Sequence, residues 1–137
     1  MSLMMSFDPP DPRTAWVLSG LRGEQAVSLF VDELRCPIMV EDAARQIWEI
    51  ARLPREQRSG TWHLGAPEAM SRYALGLLIA SVYRLDGRGL IPASSGAGSE
   101  PRPRDLRLKT DRADARLMTR PRPVSAATLR GASGPSE

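Results

Sequence analysis

The sequence contains few side chains that could make or break a bond. It has one histidine, His63, and one cysteine, Cys36, whereas a zinc site needs three or four ligands. Ser71 has no partner base to activate it, and neither Tyr73 nor Tyr83 is followed by a lysine four residues later. We therefore predict no metal site and no catalytic residue, and we expect His63, inside an apolar run, to lie in the core or next to it.

A glycine-rich turn at Gly20-x-x-Gly23-x-x-Ala26 has the spacing of a phosphate-binding loop. Such a loop holds a pyrophosphate on helix amides, which requires a strand before the glycines and a helix after them. The residues that follow, Val27 to Asp32, alternate and are β-branched, which predicts a strand. We therefore interpret the glycines as a simple turn and predict that this chain alone binds no cofactor.

Arginine is the functional residue type that stands out, and it is concentrated late in the chain. Residues 86–137 carry 10 basic and 6 acidic side chains, within a net charge of +3 for the whole chain. The segment Pro101 to Lys109 suits a diphosphate, because a guanidinium donates two hydrogen bonds at once. Asp105 interrupts the segment and no aromatic residue lies within it, so a nucleic acid is not predicted as a partner. A solvated basic edge is the alternative interpretation.

The elements that would position these residues follow an α/β pattern, in which short apolar runs alternate with longer amphipathic ones. The predicted strands are Arg13 to Ser19, Val27 to Asp32, Thr61 to Leu64 and Leu90 to Pro92, and the predicted helices are Val40 to Leu53, Ser71 to Leu85, Asp111 to Met118 and Ser125 to Arg130. The strand, turn and helix between Gly60 and Leu85 form the unit on which we expect the remaining elements to pack.

Apolar spacing also predicts which helix faces are buried. For the helix that follows Ser71, its predicted N-cap, the buried stripe is Ala74, Leu77, Leu78, Ser81, Val82 and Leu85. For the earlier helix it is Ala43, Ala44, Ile47, Trp48 and Ala51. Arg13 to Ser19 is expected at the edge of a parallel sheet, and an unpaired edge predicts self-association or a partner chain.

The chain of 137 residues has the length of one domain. We expect residues 1–12 to be disordered, residues 13–130 to fold and residues 131–137 to form a disordered tail. No run approaches the ~20 apolar residues of a membrane-spanning helix, so no membrane partner is predicted. A single cysteine and the lack of a secretory signal pattern predict a cytoplasmic protein.

Three segments resemble the extended short-chain dehydrogenase family, and most of all its dTDP-4-dehydrorhamnose reductase branch. The first, LRCPIMVEDAA at 34–44, is similar to the family's R-x-P/Y-I-x-V-x-D-L-A. The second, WHLGAPE at 62–68 with SRY at 71–73, is similar to Y-H-L-x-G-P-E-x-x-S-R-Y. The third, RPRD at 102–105 with the residues up to 117, is similar to R-P-x-D-x-x-L-D-x-S-K-A. The segment from Arg13 to Gly20 also resembles the family's R-x-S-W-V-Y-G.

This resemblance implies a partial Rossmann-like α/β fold: a C-terminal substrate-binding region without the N-terminal nucleotide-binding half. The implied ligand is a nucleotide-sugar diphosphate, held by Arg35 and Arg102 at the positions of the arginines of the first and third motifs. The family is NAD(P)-dependent, so NADP or NAD is implied for a complete member. This chain lacks the glycine-rich cofactor turn and the Tyr-x-x-x-Lys pair.

Two other functions stay open at this point. A non-catalytic regulatory or scaffold subunit is one, because a regulatory subunit of methionine adenosyltransferase resembles the same family. A truncated product without independent function is the other. Both agree with the lack of a catalytic constellation.

Overall fold

The computed structural model describes residues 3–97 and 103–128, with the side chain of Ala97 left out. The strands are β1 (Met4–Met5), β2 (Val27–Phe30), β3 (Leu34–Arg35), β4 (Ile38–Met39), β5 (Met70–Ser71) and β6 (Leu90–Ala93). The helices are α1 (Pro12–Leu21), α2 (Val40–Arg52), α3 (Arg55–Arg58), α4 (Arg72–Tyr83) and α5 (Asp111–Arg116). The predicted α/β class is confirmed.

The strands form three two-stranded sheets in the described part of the chain. β1 pairs with β4 and β2 with β6, both in parallel, and β3 pairs with β5 in the antiparallel direction. The main core lies where α1 and α4 pack on β2 and β6. Gly76 lets α4 approach β2 closely, because a Cβ atom there would lie 2.4 Å from Leu29 Cδ1.

The prediction of a strand over residues 13–19 is wrong, because this segment lies inside α1. Asp11 caps the helix by accepting hydrogen bonds from the Thr14 amide and hydroxyl, and Pro12 fills the first turn, where no amide is needed. Thr14, Val17 and Leu18 are buried at helical spacing. A short apolar run does not distinguish the two elements. The segment is therefore no sheet edge, and the prediction of self-association loses the strand on which it depended.

The predicted buried strand over residues 61–64 is also wrong, since these residues have no regular secondary structure and His63 is exposed. Trp62 is held by contacts that a strand would not offer: its indole Nε1 donates to the Arg58 carbonyl at 2.9 Å, and the Arg112 guanidinium stacks 3.9 Å from its ring centroid. Leu64 is buried in a small second core with Ala113 of α5 and Leu117, which follows α5.

Residues 3–11 differ from the disordered segment expected from their composition. Met5 and Phe7 are buried in the main core, and β1 extends the chain beside β4. The Tyr83 hydroxyl donates a hydrogen bond of 2.8 Å to the Phe7 carbonyl, which fixes the segment against the end of α4. Burial of the apolar side chains of Met5 and Phe7 stabilises this segment, although its composition is polar and Pro-rich.

The two main helices form where predicted, and Ser71 caps α4 by accepting a hydrogen bond from the Ala74 amide. Their buried faces differ from the predicted stripes. In α4 the buried residues are Leu75, Gly76, Ile79 and Ala80. In α2 they are Asp42, Ala43 and Gln46, while Ala44, Ile47, Trp48 and Ala51 are exposed.

The buried face of α2 is polar because it holds the last described segment of the chain. Asp42 accepts hydrogen bonds of 2.9 Å from both the backbone amide and Nε of Arg122. Glu49 accepts hydrogen bonds from the amides of Met118 and Thr119. Burial by itself would raise the pKa of Asp42, but the hydrogen bonds and charge of Arg122 outweigh it and lower that pKa.

We expect Asp42→Asn to destabilise the chain and to flatten its response to acid. Because the folded pKa of Asp42 is lowered, its contribution is present above the unfolded pKa, near 3.8, and is lost as the pH falls towards the folded value. At pH 7 the unfolding free energy of the variant should be roughly 1–3 kcal/mol lower than that of wild type. As the pH falls from about 5 to 3, the unfolding free energy of the variant should decrease less than that of wild type. Urea unfolding at several pH values measures both effects. Glu24→Gln, at an exposed carboxylate, is the control; parallel pH profiles for wild type and Asp42→Asn would contradict the prediction.

Candidate functional site

A groove of about 780 Å³ lies between the N-terminal segment, the start of α1, β3 and the start of α4. Its lining is Leu3, Met4, Met5, Ser6, Asp11, Pro12, Arg13, Arg35, Val40, Arg72, Leu106 and Leu108. Three of these residues are arginines and one is a carboxylate. We call this feature the arginine groove.

Two of the arginines are brought together by a buried carboxylate. Glu33 is 2% exposed. Its Oε2 atom accepts a hydrogen bond of 2.8 Å from Arg72 Nε and one of 3.1 Å from Arg35 Nη2. Strand pairing produces this arrangement, because Arg35 of β3 lies opposite Met70 of β5 and α4 begins two residues later. The cluster joins positions 39 residues apart in sequence.

The guanidinium groups differ in how many donors remain for a ligand. Arg35 Nη1 donates a hydrogen bond of 2.8 Å to the Leu34 carbonyl, and its Nη2 binds Glu33, so this side chain is fixed in position. Arg72 binds Glu33 through Nε, and its two terminal nitrogens have no partner among residues 3–97 and 103–128. Arg13 is exposed and forms no ion pair with any carboxylate that the structure describes. Arg72 therefore presents the two-pronged donor pair that a phosphate oxygen pair accepts.

An apolar recess of about 230 Å³ continues from the arginine groove. Arg13 and Arg72 lie at the junction and line both cavities, and Trp16, Leu75 and Ile79 line the recess. A cationic groove beside an apolar recess suits a ligand with an anionic part and a less polar part.

The described part of the third motif, from residue 103 onwards, lies next to the first motif, which contains Arg35. The Leu34 amide donates to the Arg104 carbonyl at 2.7 Å, and the Leu106 amide donates to the Leu34 carbonyl at 3.2 Å. The segment that follows Arg102 therefore runs beside β3, where Arg35 lies. Arg102 itself falls outside the described residues. The basic side chains that come next are used locally, since Arg107 pairs with Asp105 at 2.6 Å.

The Gly20–Gly23 segment is a turn, as interpreted, but it ends a helix. Gly23 has a φ of 75° and its amide donates to the Gly20 carbonyl at 3.0 Å, while the Glu24 amide donates to the Ser19 carbonyl. This left-handed glycine closes the C-terminus of α1. The free amides of a helix N-terminus, which a dinucleotide pyrophosphate needs, are not at this turn, so it does not fit NAD(P). Across the described residues, no group of three or more His, Cys, Asp or Glu side chains could hold a metal ion.

Two groove residues, Arg13 and Arg72, were not among the predicted site residues. Both lie within segments that carry the family resemblance, the first at the start of R-T-A-W-V-L-S-G and the second in S-R-Y. The sequence signal was therefore present, but only the packing of α1 and α4 against β3 shows that both side chains reach the groove that contains Arg35.

The fold is an α/β domain, and its largest described groove is lined by three arginines. The sequence profile of the RmlD substrate binding domain matches residues 12–130, which is most of the chain. The chain belongs to this family, and the resemblance to dTDP-4-dehydrorhamnose reductases is confirmed. Comparison with curated proteins gave no match. None of the described helices is long and apolar enough to cross a membrane.

Proposed function

We propose that this chain binds the diphosphate of a nucleotide sugar in the arginine groove and supplies the substrate-binding part of a reductase- or epimerase-like protein. The observation that carries this proposal is the convergence of Arg13, Arg35 and Arg72 on one groove. Arg35 was implied as a diphosphate ligand, and Arg72 adds a guanidinium whose terminal nitrogens point to no described partner. Membership of a substrate-binding-domain family supports the same ligand class.

Arg102 is proposed as a further diphosphate ligand. Support comes from the position of the neighbouring residues 104–106, which run along β3 next to the arginine cluster. Arg104 provides a natural contrast, because its guanidinium lies 3.9 Å from the Asp32 carboxylate and is largely exposed.

The redox step is proposed to belong to other parts of the assembled protein. NADP or NAD, as implied for a complete family member, would be held there together with the Tyr-x-x-x-Lys pair. The contribution of the present residues is to bind and orient the substrate.

We expect Arg72→Lys to weaken binding of dTDP-glucose about tenfold or more, because lysine keeps the charge but loses the paired donors worth roughly 1.5–3 kcal/mol. Arg35→Lys and Arg102→Lys should weaken binding in the same direction. Isothermal titration calorimetry with dTDP-glucose and with thymidine measures the effect. Thymidine has no phosphate, so its binding should not change.

Arg104→Lys is the matched control, since it makes the same exchange in the same extended segment. Thermal unfolding of each variant checks that the fold persists. Equal effects of Arg104→Lys and Arg72→Lys would show a diffuse basic surface and would refute the proposed site. Failure of wild type to bind dTDP-glucose would refute the proposed ligand.

A further inference from the structure

Helix α2 presents an apolar stripe to solvent. Its exposed residues include Ala44, Ile47, Trp48 and Ala51, which we call the outer stripe. Trp48 is 65% exposed and Ile47 is 45% exposed. The opposite face of the helix is the one that packs on the protein, with Asp42, Ala43 and Gln46 buried. An exposed apolar surface of this kind marks a site of association.

Residues at mirrored positions about the middle of α2 are complementary in size and charge. The helix runs from Val40 to Arg52, so its midpoint lies at Gln46. The largest residue of the outer stripe, Trp48, lies two positions after the midpoint, and the small Ala44 lies two positions before it. At 1.5 Å per residue, each lies about 3 Å from the midpoint along the axis.

The charged residues at the two ends of α2 are complementary in the same way. Glu41 lies in the first turn, about 7.5 Å before the midpoint along the axis, and Arg52 lies in the last turn, about 9 Å after it. At 100° per residue the two side chains project within about 20° of one another, on the same border of the outer stripe. The helix is therefore acidic at one end and basic at the other along a single edge.

We propose that α2 pairs with α2 of a second copy of this chain, in antiparallel orientation about a twofold axis at the level of Gln46. Such an axis carries each residue to the opposite height on the same border. It places Trp48 against Ala44 of the partner subunit, large against small. It also places Glu41 opposite Arg52 of the partner subunit, at both ends of the contact.

A second copy fits this surface because its pattern is self-complementary, which is the requirement of a twofold interface. An unrelated partner would not require large and small residues, or opposite charges, at mirrored positions. The contact is one pair of 13-residue helices, small beside the ~1,200–2,000 Å² of a stable complex. The association is therefore concentration-dependent, with dimers formed at high micromolar concentration.

Sedimentation equilibrium of the full chain between about 5 and 500 μM tests this inference. Wild type should shift from monomer to dimer over this range. Trp48→Glu should remain monomeric throughout. Ile91→Glu, which places the same charge at a 48% exposed residue of β6, is the matched control and should dimerise like wild type.

Charge reversal tests the antiparallel geometry. Glu41→Arg should weaken dimerisation about fivefold, because it places like charges at both ends. The double variant Glu41→Arg with Arg52→Glu restores opposite charges and should return to the wild-type constant. Circular dichroism checks the fold, since Glu41 also lies 4.0 Å from Arg122. A monomeric wild type at all concentrations, dissociation by Ile91→Glu but not Trp48→Glu, or no rescue in the double variant would each overturn the proposal.

Discussion

Replacing Glu33 by alanine is expected to lower the unfolding free energy by about 3 kcal/mol or more. Glu33 is buried and its Oε2 atom accepts from both Arg35 and Arg72. Its removal leaves two partly buried guanidinium groups, 15% and 31% exposed, close together without their shared counter-charge, which destabilises the fold. Urea unfolding followed by circular dichroism measures the loss.

The matched control is Asp86→Ala, which also removes a carboxylate from an arginine. Asp86 pairs with Arg88 at 2.6 Å, but both side chains are exposed. An exposed ion pair contributes between about 0 and 1 kcal/mol, so this control should change stability little. Similar losses for Glu33→Ala and Asp86→Ala would show that the Glu33 cluster does not stabilise the fold.

The same cluster predicts a link between stability and ligand binding. Glu33→Gln keeps the size of the side chain but removes its charge, so the arginines become better receptors for an anion. Inorganic pyrophosphate should then raise the melting temperature of Glu33→Gln more than that of wild type, because at equal concentration a ligand that binds the folded state more tightly stabilises it more. Equal shifts in the two proteins would place the anion elsewhere.

The second large effect is expected in α4, where Ile79→Ala should cost about 2–5 kcal/mol of unfolding free energy. Ile79 is 2% exposed and belongs to the main core. Truncation leaves a cavity in the main core, while alanine at this position favours the helix itself, so the loss comes from packing.

Leu77→Ala is the control for Ile79→Ala, because Leu77 belongs to the stripe that the sequence pattern predicts to be buried but is 41% exposed. We expect a loss of about 1 kcal/mol or less, since less apolar surface leaves water at this position on folding. Denaturant unfolding of both variants compares the two faces directly. A larger loss for Leu77→Ala would mean that the predicted stripe is the core face after all.

Local sequence signals predicted several elements correctly. The alternation after residue 26 predicted β2, the apolar spacing predicted α2, and Ser71 predicted the start of α4. These signals depend on neighbours within a few residues, such as a side-chain oxygen that caps an amide. They can therefore be recognised in the sequence without knowledge of the fold. The order of the motifs likewise identified the family.

Tertiary structure decided which face of each helix is buried. In α2 the more apolar side is exposed, because Asp42 and Glu49 on the other side bind the backbone of a segment about 70 to 80 residues later. In α4, Gly76 is buried because its lack of a side chain admits β2. A prediction from periodicity uses only the positions of apolar side chains, so it does not identify a buried carboxylate or a buried glycine as part of the packed face.

The arginine groove shows the same division between sequence and structure. The motifs pointed to Arg35 and Arg102, but they assigned no role to Arg13 or Arg72. Residues 13–19 were predicted as a strand, and only as helix α1, capped by Asp11, does this segment bring Arg13 to the groove. Arg72 reaches it through the pairing of β3 with β5 and through Glu33, which binds two arginines from distant positions. Contacts of this range depend on how the elements pack. For that reason the sequence alone pointed to the proposed class of ligand, whereas the tertiary structure determined which side chains line the groove.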